Sequence, residues 1–171
     1  MKSVFLLSVA TVAMLVSSAQ EDKSKRPSPP ALAKETLTNG TVVSIDYSQP
    51  SVKGRTIGKN LEPINGKVWR TGANEATVFE VSKDVKIEGK HLAAGKYGLF
   101  TISGDNEWVI IFNKTWDQLG AFNYKEADDA LRVKVKPDKA KAFSEKMTFI
   151  ISKAGKITLL WGDIQVDFNV Q

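Results

Sequence analysis

The 171-residue chain contains no cysteine. That excludes a disulfide framework, a thiol nucleophile and a cysteine-bound zinc. It also excludes a bacterial lipoprotein anchor, whose lipid needs a cysteine at the cleavage point. Histidine is nearly absent: His91 is the only one. Any Ser-His-Asp relay would have to use it, yet it lies in GKHLAAGKY, a turn between two strand-like stretches with no nucleophile elbow beside it. The G-x-S-x-G, H-E-x-x-H and P-loop signatures are missing. No apolar run after the N-terminus reaches the roughly 20 residues that a membrane-spanning helix needs. Charge of one sign is never concentrated either. The formal net charge is +5, with lysines and acids interspersed and no basic block, which argues against a nucleic-acid partner.

The N-terminus carries a pattern of its own. Lys2 precedes a short apolar run from Val4 to Val16, and Ser17-Ser18-Ala19 offers small residues for a signal peptidase. Residues 1–19 read as a cleavable secretory signal peptide cut after Ala19. The destination is then secreted or periplasmic, and losing Lys2 leaves a charge of +4. Residues 20–34 are charged and bear Pro27, Pro29 and Pro30; proline favours extended chain and opposes helix, so this stretch reads as a tether. Residues 35–171 are then one domain, enough chain to bury a core without staples.

Within that domain the hydrophobic period is two. TVVSIDY places Thr41, Val43, Ile45 and Tyr47 on one face; TVFEVS, VKIEG and KYGLFTIS follow. EWVIIFN is apolar on both faces, as a strand between two layers must be. LRVKVK alternates cleanly, and MTFIISK is another short strand. Near the C-terminus, KITLLW and IQVDFNV flank Gly162-Asp163. This predicts a two-residue hairpin that pairs Trp161 with Ile164; the alternative is one strand bent by a bulge at Gly162. Trp116–Phe122 and Pro137–Lys146 are predicted short helices. Seven to nine closely spaced strands predict an all-β fold, an antiparallel, jelly-roll-like β-sandwich with one or two short helices, the alternative being a β-barrel.

Five blocks occur in one order: YSQPSVKGR, WRTGANEAT, AGKYGLFTI, IFNKTWDQLGAF and DALRVKVKP. Together they resemble domain-of-unknown-function family 2911 from about Ser28 to Val170, nearly all of the mature chain. The resemblance implies a small secreted bacterial protein with a β-rich domain and brings no activity with it. The chain departs from the family pattern in GRTIGKN, where a larger apolar residue is expected near Gly58.

Three polar-aromatic clusters are candidate sites. In Trp69-Arg70-Thr71-Gly72-Ala73-Asn74-Glu75, Arg70 offers a planar fork for an anionic or hydroxyl-rich ligand, with Trp69 as a stacking face and Asn74 and Glu75 lining the pocket. Equally, Trp69 is core and Arg70 pairs with Glu75 to fix the loop, with Gly72 supplying a left-handed backbone angle. Lys53 and Arg55, beside Asp46, are anion ligands or solvated loop charges. In Asn113-Lys114-Thr115-Trp116-Asp117, Trp116 stacks on a sugar or caps the core. The acidic run Glu126, Asp128 and Asp129 lacks the glycine and spacing of a calcium loop. No metal and no cofactor is expected.

These features predict a non-catalytic extracytoplasmic binding or interaction module whose ligand is a carbohydrate, an envelope polymer or a protein. One alternative is an envelope-glycan hydrolase with paired carboxylates such as Asp46 and Glu75. The other is a structural envelope protein, which needs no concave polar pocket.

Overall fold

The protein is described by a computed structural model over residues 22–171. The signal peptide predicted over residues 1–19 lies outside the described residues, as does the start of the stretch read as a tether. Eleven strand segments follow in chain order: β1 (Pro30–Thr36), β2 (Val42–Ser48), β3 (Val68–Trp69), β4 (Ala73–Val81), β5 (Val85–Ile87), β6 (Lys90–Leu92), β7 (Gly95–Ile102), β8 (Trp108–Asn113), β9 (Asp129–Val135), β10 (Pro137–Ile151) and β11 (Lys156–Asn169).

The main sheet is antiparallel, in the order β1-β2-β4-β7-β8-β9, with β3 added on β7. One-in, one-out alternation sets its inner face: Val43, Ile45, Phe79, Val81, Leu99, Ile110, Phe112 and Val133 are all buried. A two-stranded ribbon of β10 and β11 packs over that face, with the β5–β6 hairpin closing one end of the core. Aromatic pairs cross the layers edge-on. Tyr47 meets Phe149 at 5.1 Å and Phe112 meets Phe168 at 6.1 Å between ring centroids. Such pairs add about 0.5–1.5 kcal/mol beyond area burial.

The arrangement is an all-β antiparallel sandwich, and no sheet among the described residues closes into a barrel. β8 is buried on both faces. On its outer side Ile111, Phe100 and Ala76 form a second, small apolar cluster with Ala121 and Tyr124. The connection between β8 and β9 folds back over this cluster. The Tyr124 hydroxyl donates to Asp129 (2.8 Å) and accepts from Arg132 (2.7 Å). Burial pushes that phenol up to about 12, so it stays neutral and holds the loop down.

Three local expectations are corrected. The helices predicted over Trp116–Phe122 and Pro137–Lys146 are absent. The first stretch is irregular and the second opens the long strand β10, while the helical turns present are 3-10 turns at Lys23–Lys25 and Glu126–Asp128. The C-terminal hairpin is also absent: β11 runs through Gly162 and pairs with β10 on both sides of it, from Ile157 to Val166. Register shifts on β10 flank the Ser144–Gly162 pair, and Gly162 adopts φ +59°. The bulge moves the inward phase from odd residues (Ile157, Leu159, Trp161) to even ones (Val166, Phe168, Val170). Third, the stretch read as a tether enters β1 at Pro30 and pairs with β2 along its whole length.

Candidate functional site

The bend between β3 and β4 is fixed by groups other than its charges. The Trp69 indole is buried, and its Nε1 donates to the Gly72 carbonyl at 3.1 Å. Thr77 Oγ1 donates to the Thr71 carbonyl at 2.8 Å, and the hydroxyls of Thr71 and Thr101 meet at 3.2 Å. Thr71 (φ +51°) and Asn74 (φ +55°) supply the left-handed angles expected of Gly72. Gly72 is needed for space instead, because a Cβ there would lie 2.8 Å from Thr77 Oγ1 and 3.2 Å from the Ser48 carbonyl oxygen.

Arg70 and Glu75 do not pair. Glu75 accepts from Arg26 Nη1 at 2.9 and 3.0 Å and from Lys23 Nζ at 3.0 Å. The Arg26 hydrogen bond leads in holding its carboxyl at about 2. Asn74 Nδ2 donates to the Ser28 carbonyl at 3.0 Å. Asn74 and Glu75 therefore bind the segment before β1 to the sheet, work that no spacing rule would reveal.

Arg70 stands apart. It is half-buried, its Nε is buried without a hydrogen-bond partner, and no carboxylate among the described residues forms an ion pair with it. Burial pulls its pKa below the usual guanidinium value, while the field of Glu62 works the other way. Such a group remains a cation at any physiological pH. It lines a cavity of about 260 Å³ with Ser28, Arg55, Asn60, Glu62, Trp69 and Trp161, among others. Arg55 is exposed and braced on its own loop, donating to the carbonyls of Val52 (3.1 Å) and Ser51 (2.5 Å). Glu62 is engaged by the Ile64 amide at 2.8 Å, and its carbonyl takes the Trp161 indole N–H at 2.8 Å. The lining thus holds two cations and one anion.

The other candidate residues do not join it. Lys53 is exposed, and its backbone N–H donates to Glu145 at 2.8 Å. Asn113 is fully buried, its amide donating to the Lys125 carbonyl (2.9 Å) and Asp129 (2.8 Å); it anchors the β8–β9 connection. Lys114 is exposed beside it. Trp116 is 38% exposed on the outer face of the main sheet. Trp69 offers no open stacking face. Sequence reasoning missed Trp161, Asn60 and Glu62, which only the long-range packing of β11 on the 52–65 loop brings to Arg70.

Gly58, where the chain departs from the family pattern, takes φ +84° and donates its N–H to the Leu61 carbonyl at 2.8 Å. It turns the loop that walls this cavity. The far side of that loop borders a larger cavity, about 490 Å³, with Asn65, Ser103, Asp105, Trp108, Asp138 and Asp163 among its lining. Its buried hydroxyl is satisfied, since Ser103 donates to Asn65 (3.0 Å), which in turn donates to Asp105 (2.7 Å). A third depression, about 190 Å³, brings Asp46 and Glu75 together with Lys23.

The family model described as "Protein of unknown function (DUF2911)" matches residues 28–170. Comparison with curated proteins gives no match, and neither does comparison with solved structures.

Proposed function

The chain belongs to the DUF2911 family, and on that footing we propose a non-catalytic binding module that works outside the cytoplasm and holds an anionic group of its ligand at Arg70. The carrying observation is the half-buried guanidinium of Arg70, which faces a cavity and forms no ion pair with Glu62, the one carboxylate in its lining. Burial of an unpaired cation is unfavourable, so a site that keeps one is poised for a partner. Arginine suits a carboxylate or sulfate because its planar fork donates two parallel hydrogen bonds. Arg55 at the same cavity adds a second positive charge. The leader-like N-terminus supports an extracytoplasmic setting. Among the described residues no helix is long and apolar enough to cross a membrane.

The hydrolase reading is weaker on its own chemistry. Asp46 and Glu75 do share a depression, but a glycosidase acid needs a raised pKa. Glu75 is held at about 2 by Arg26 and has no proton to give. A structural envelope protein needs no concave polar pocket, and the described residues form several.

The test uses Arg70→Ala and Arg70→Met with acetate, sulfate, polygalacturonate and dextran sulfate as probes. At least one probe should raise the melting temperature of the parent and leave both variants unmoved. Urea midpoints should stay within about 0.5 kcal/mol of the parent, or rise in Arg70→Met, because no hydrogen bond is lost. A parent that responds to none of the four, or variants that respond equally, would reject the site.

A further inference from the structure

We infer that the outer face of the main sheet is a second binding surface, which takes a neutral, hydroxyl-rich glycan chain across β1, β2, β4 and β7 against the indole of Trp116. Strand register builds it. Leu32, Asp46, Val78 and Gly98 stand in one row across the four strands, and Lys34, Ser44, Glu80 and Lys96 in a second. Both rows alternate with the inward residues Ile45, Phe79 and Tyr97, so they face away from the core. The chain after β8 crosses the first row at Gly98. A Cβ there would lie 3.2 Å from the Thr115 carbonyl oxygen and 3.4 Å from Trp116 Cα. The missing side chain lets Trp116 settle on the sheet as a wall. A groove of about 230 Å³ results, with Leu32, Asp46, Glu80, Lys96 and Trp116 among its lining.

The chemistry of the lining selects the occupant. Lys34 and Lys96 balance Asp46 and Glu80, so the groove has no net charge with which to favour an anion or a cation. It offers donors and acceptors side by side, the pattern that grips neighbouring hydroxyls, next to an aromatic face that accepts the C–H side of a pyranose. Lys96 Nζ lies over the indole at 5.3 Å from the ring centroid. This is the weak contact of an exposed site; Lys96 also pairs with Glu80 at 3.7 Å, with both side chains 47% exposed, and two such weak contacts let the ammonium swing to a sugar oxygen. The groove shares no lining residue with the Arg70 cavity.

One optical probe reads this groove alone. Trp69 and Trp108 are 2% exposed, Trp161 is 0% and Trp116 is 38%, so iodide quenching of tryptophan fluorescence reports Trp116. The protein is titrated with cellohexaose, chitohexaose and laminarihexaose, and with hexagalacturonate as the charged comparator. At least one neutral hexamer should shield Trp116 from iodide. Its affinity, measured by titration calorimetry because Trp116→Ala removes the optical probe, should fall roughly tenfold or more in Trp116→Ala and in Ser44→Arg, which fills the groove floor, while Arg70→Ala leaves it unchanged. Urea midpoints show that the variants are folded. The proposal is overturned if no neutral hexamer shields Trp116, if only hexagalacturonate does, or if binding survives both groove substitutions.

Discussion

Arg70 and Glu75 show how little residue type alone decides. Both sit in one bend, and their opposite charges suggest each other as partners. Glu75 instead meets Arg26 and Lys23 from the segment before β1, and Arg70 is left facing a cavity. The Glu75 contact has a readable pH signature. Its folded pKa, about 2, lies below the ordinary glutamate value of 4.5, so its stabilisation is fully present above pH 4.5. That stabilisation is lost as the pH falls from there through about 2. The Glu75 side chain is 42% exposed, and solvent screening reduces the effect to about 1 kcal/mol. Glu75→Gln should remove this part of the acid dependence and leave the rest. Urea unfolding at pH 7, 4 and 2.5 measures it. Parallel curves for parent and variant would show that the ion pair contributes nothing.

At the scale of elements, strands with clean alternation were legible, and strands with phase breaks were not. β2, β5, β7, β8 and β9 all appear where their period-two patterns place them. MTFIISK marks the second half of β10, but its first half was missed because KPDKAKAFSEK is polar and lysine-rich, as a ribbon facing water on one side can be. Without that first half as a partner beyond Gly162, β11 looked like two strands. The apolar residues on either side of Gly162 share a face in a hairpin and in a bulged strand alike, so their pattern could not choose between the two. The length of the partner strand chooses. Gly162 is the position where this reading can be broken. It takes φ +59°, and a Cβ there would lie 2.6 Å from Ile57 Cδ1. Gly162→Ala should therefore destabilise the protein by about 1–3 kcal/mol, through backbone strain and displacement of Ile57 together. A urea midpoint equal to that of the parent would mean that the bulge relaxes freely, and that the 52–65 loop is not pinned by it. The same loop walls the Arg70 cavity, so the variant should also weaken any ligand that depends on Arg70.

For the whole molecule, the layer order follows from which strands carry apolar residues on both faces. β8 does so along its length, and β7 does so around Leu99 and Phe100, which places both between the main core and the small outer cluster. The three sequence clusters were legible as polar-aromatic loops. Their partition was not, because it depends on contacts between residues far apart in sequence: Arg55 and Arg70 line one cavity, Asn74 and Glu75 fasten the N-terminal segment, and Trp116 walls a separate groove on the outer face. The same layering predicts a hierarchy of local opening. Amides on β7 and β8 are bonded to neighbours on both edges and covered on both faces, so they exchange only when the sandwich opens globally. β1 and β9 are sheet edges, and the 114–125 connection is held by a few contacts around Tyr124 and Asn113; these should exchange much sooner. Hydrogen exchange followed by mass spectrometry should find peptides covering 97–102 and 108–113 slowest. Peptides covering 30–36 and 114–125 should be fast, and the second of these should slow when a glycan occupies the Trp116 groove. If the β10–β11 ribbon were slowest and β7–β8 opened first, the ribbon would be the stable nucleus on which the main sheet assembles.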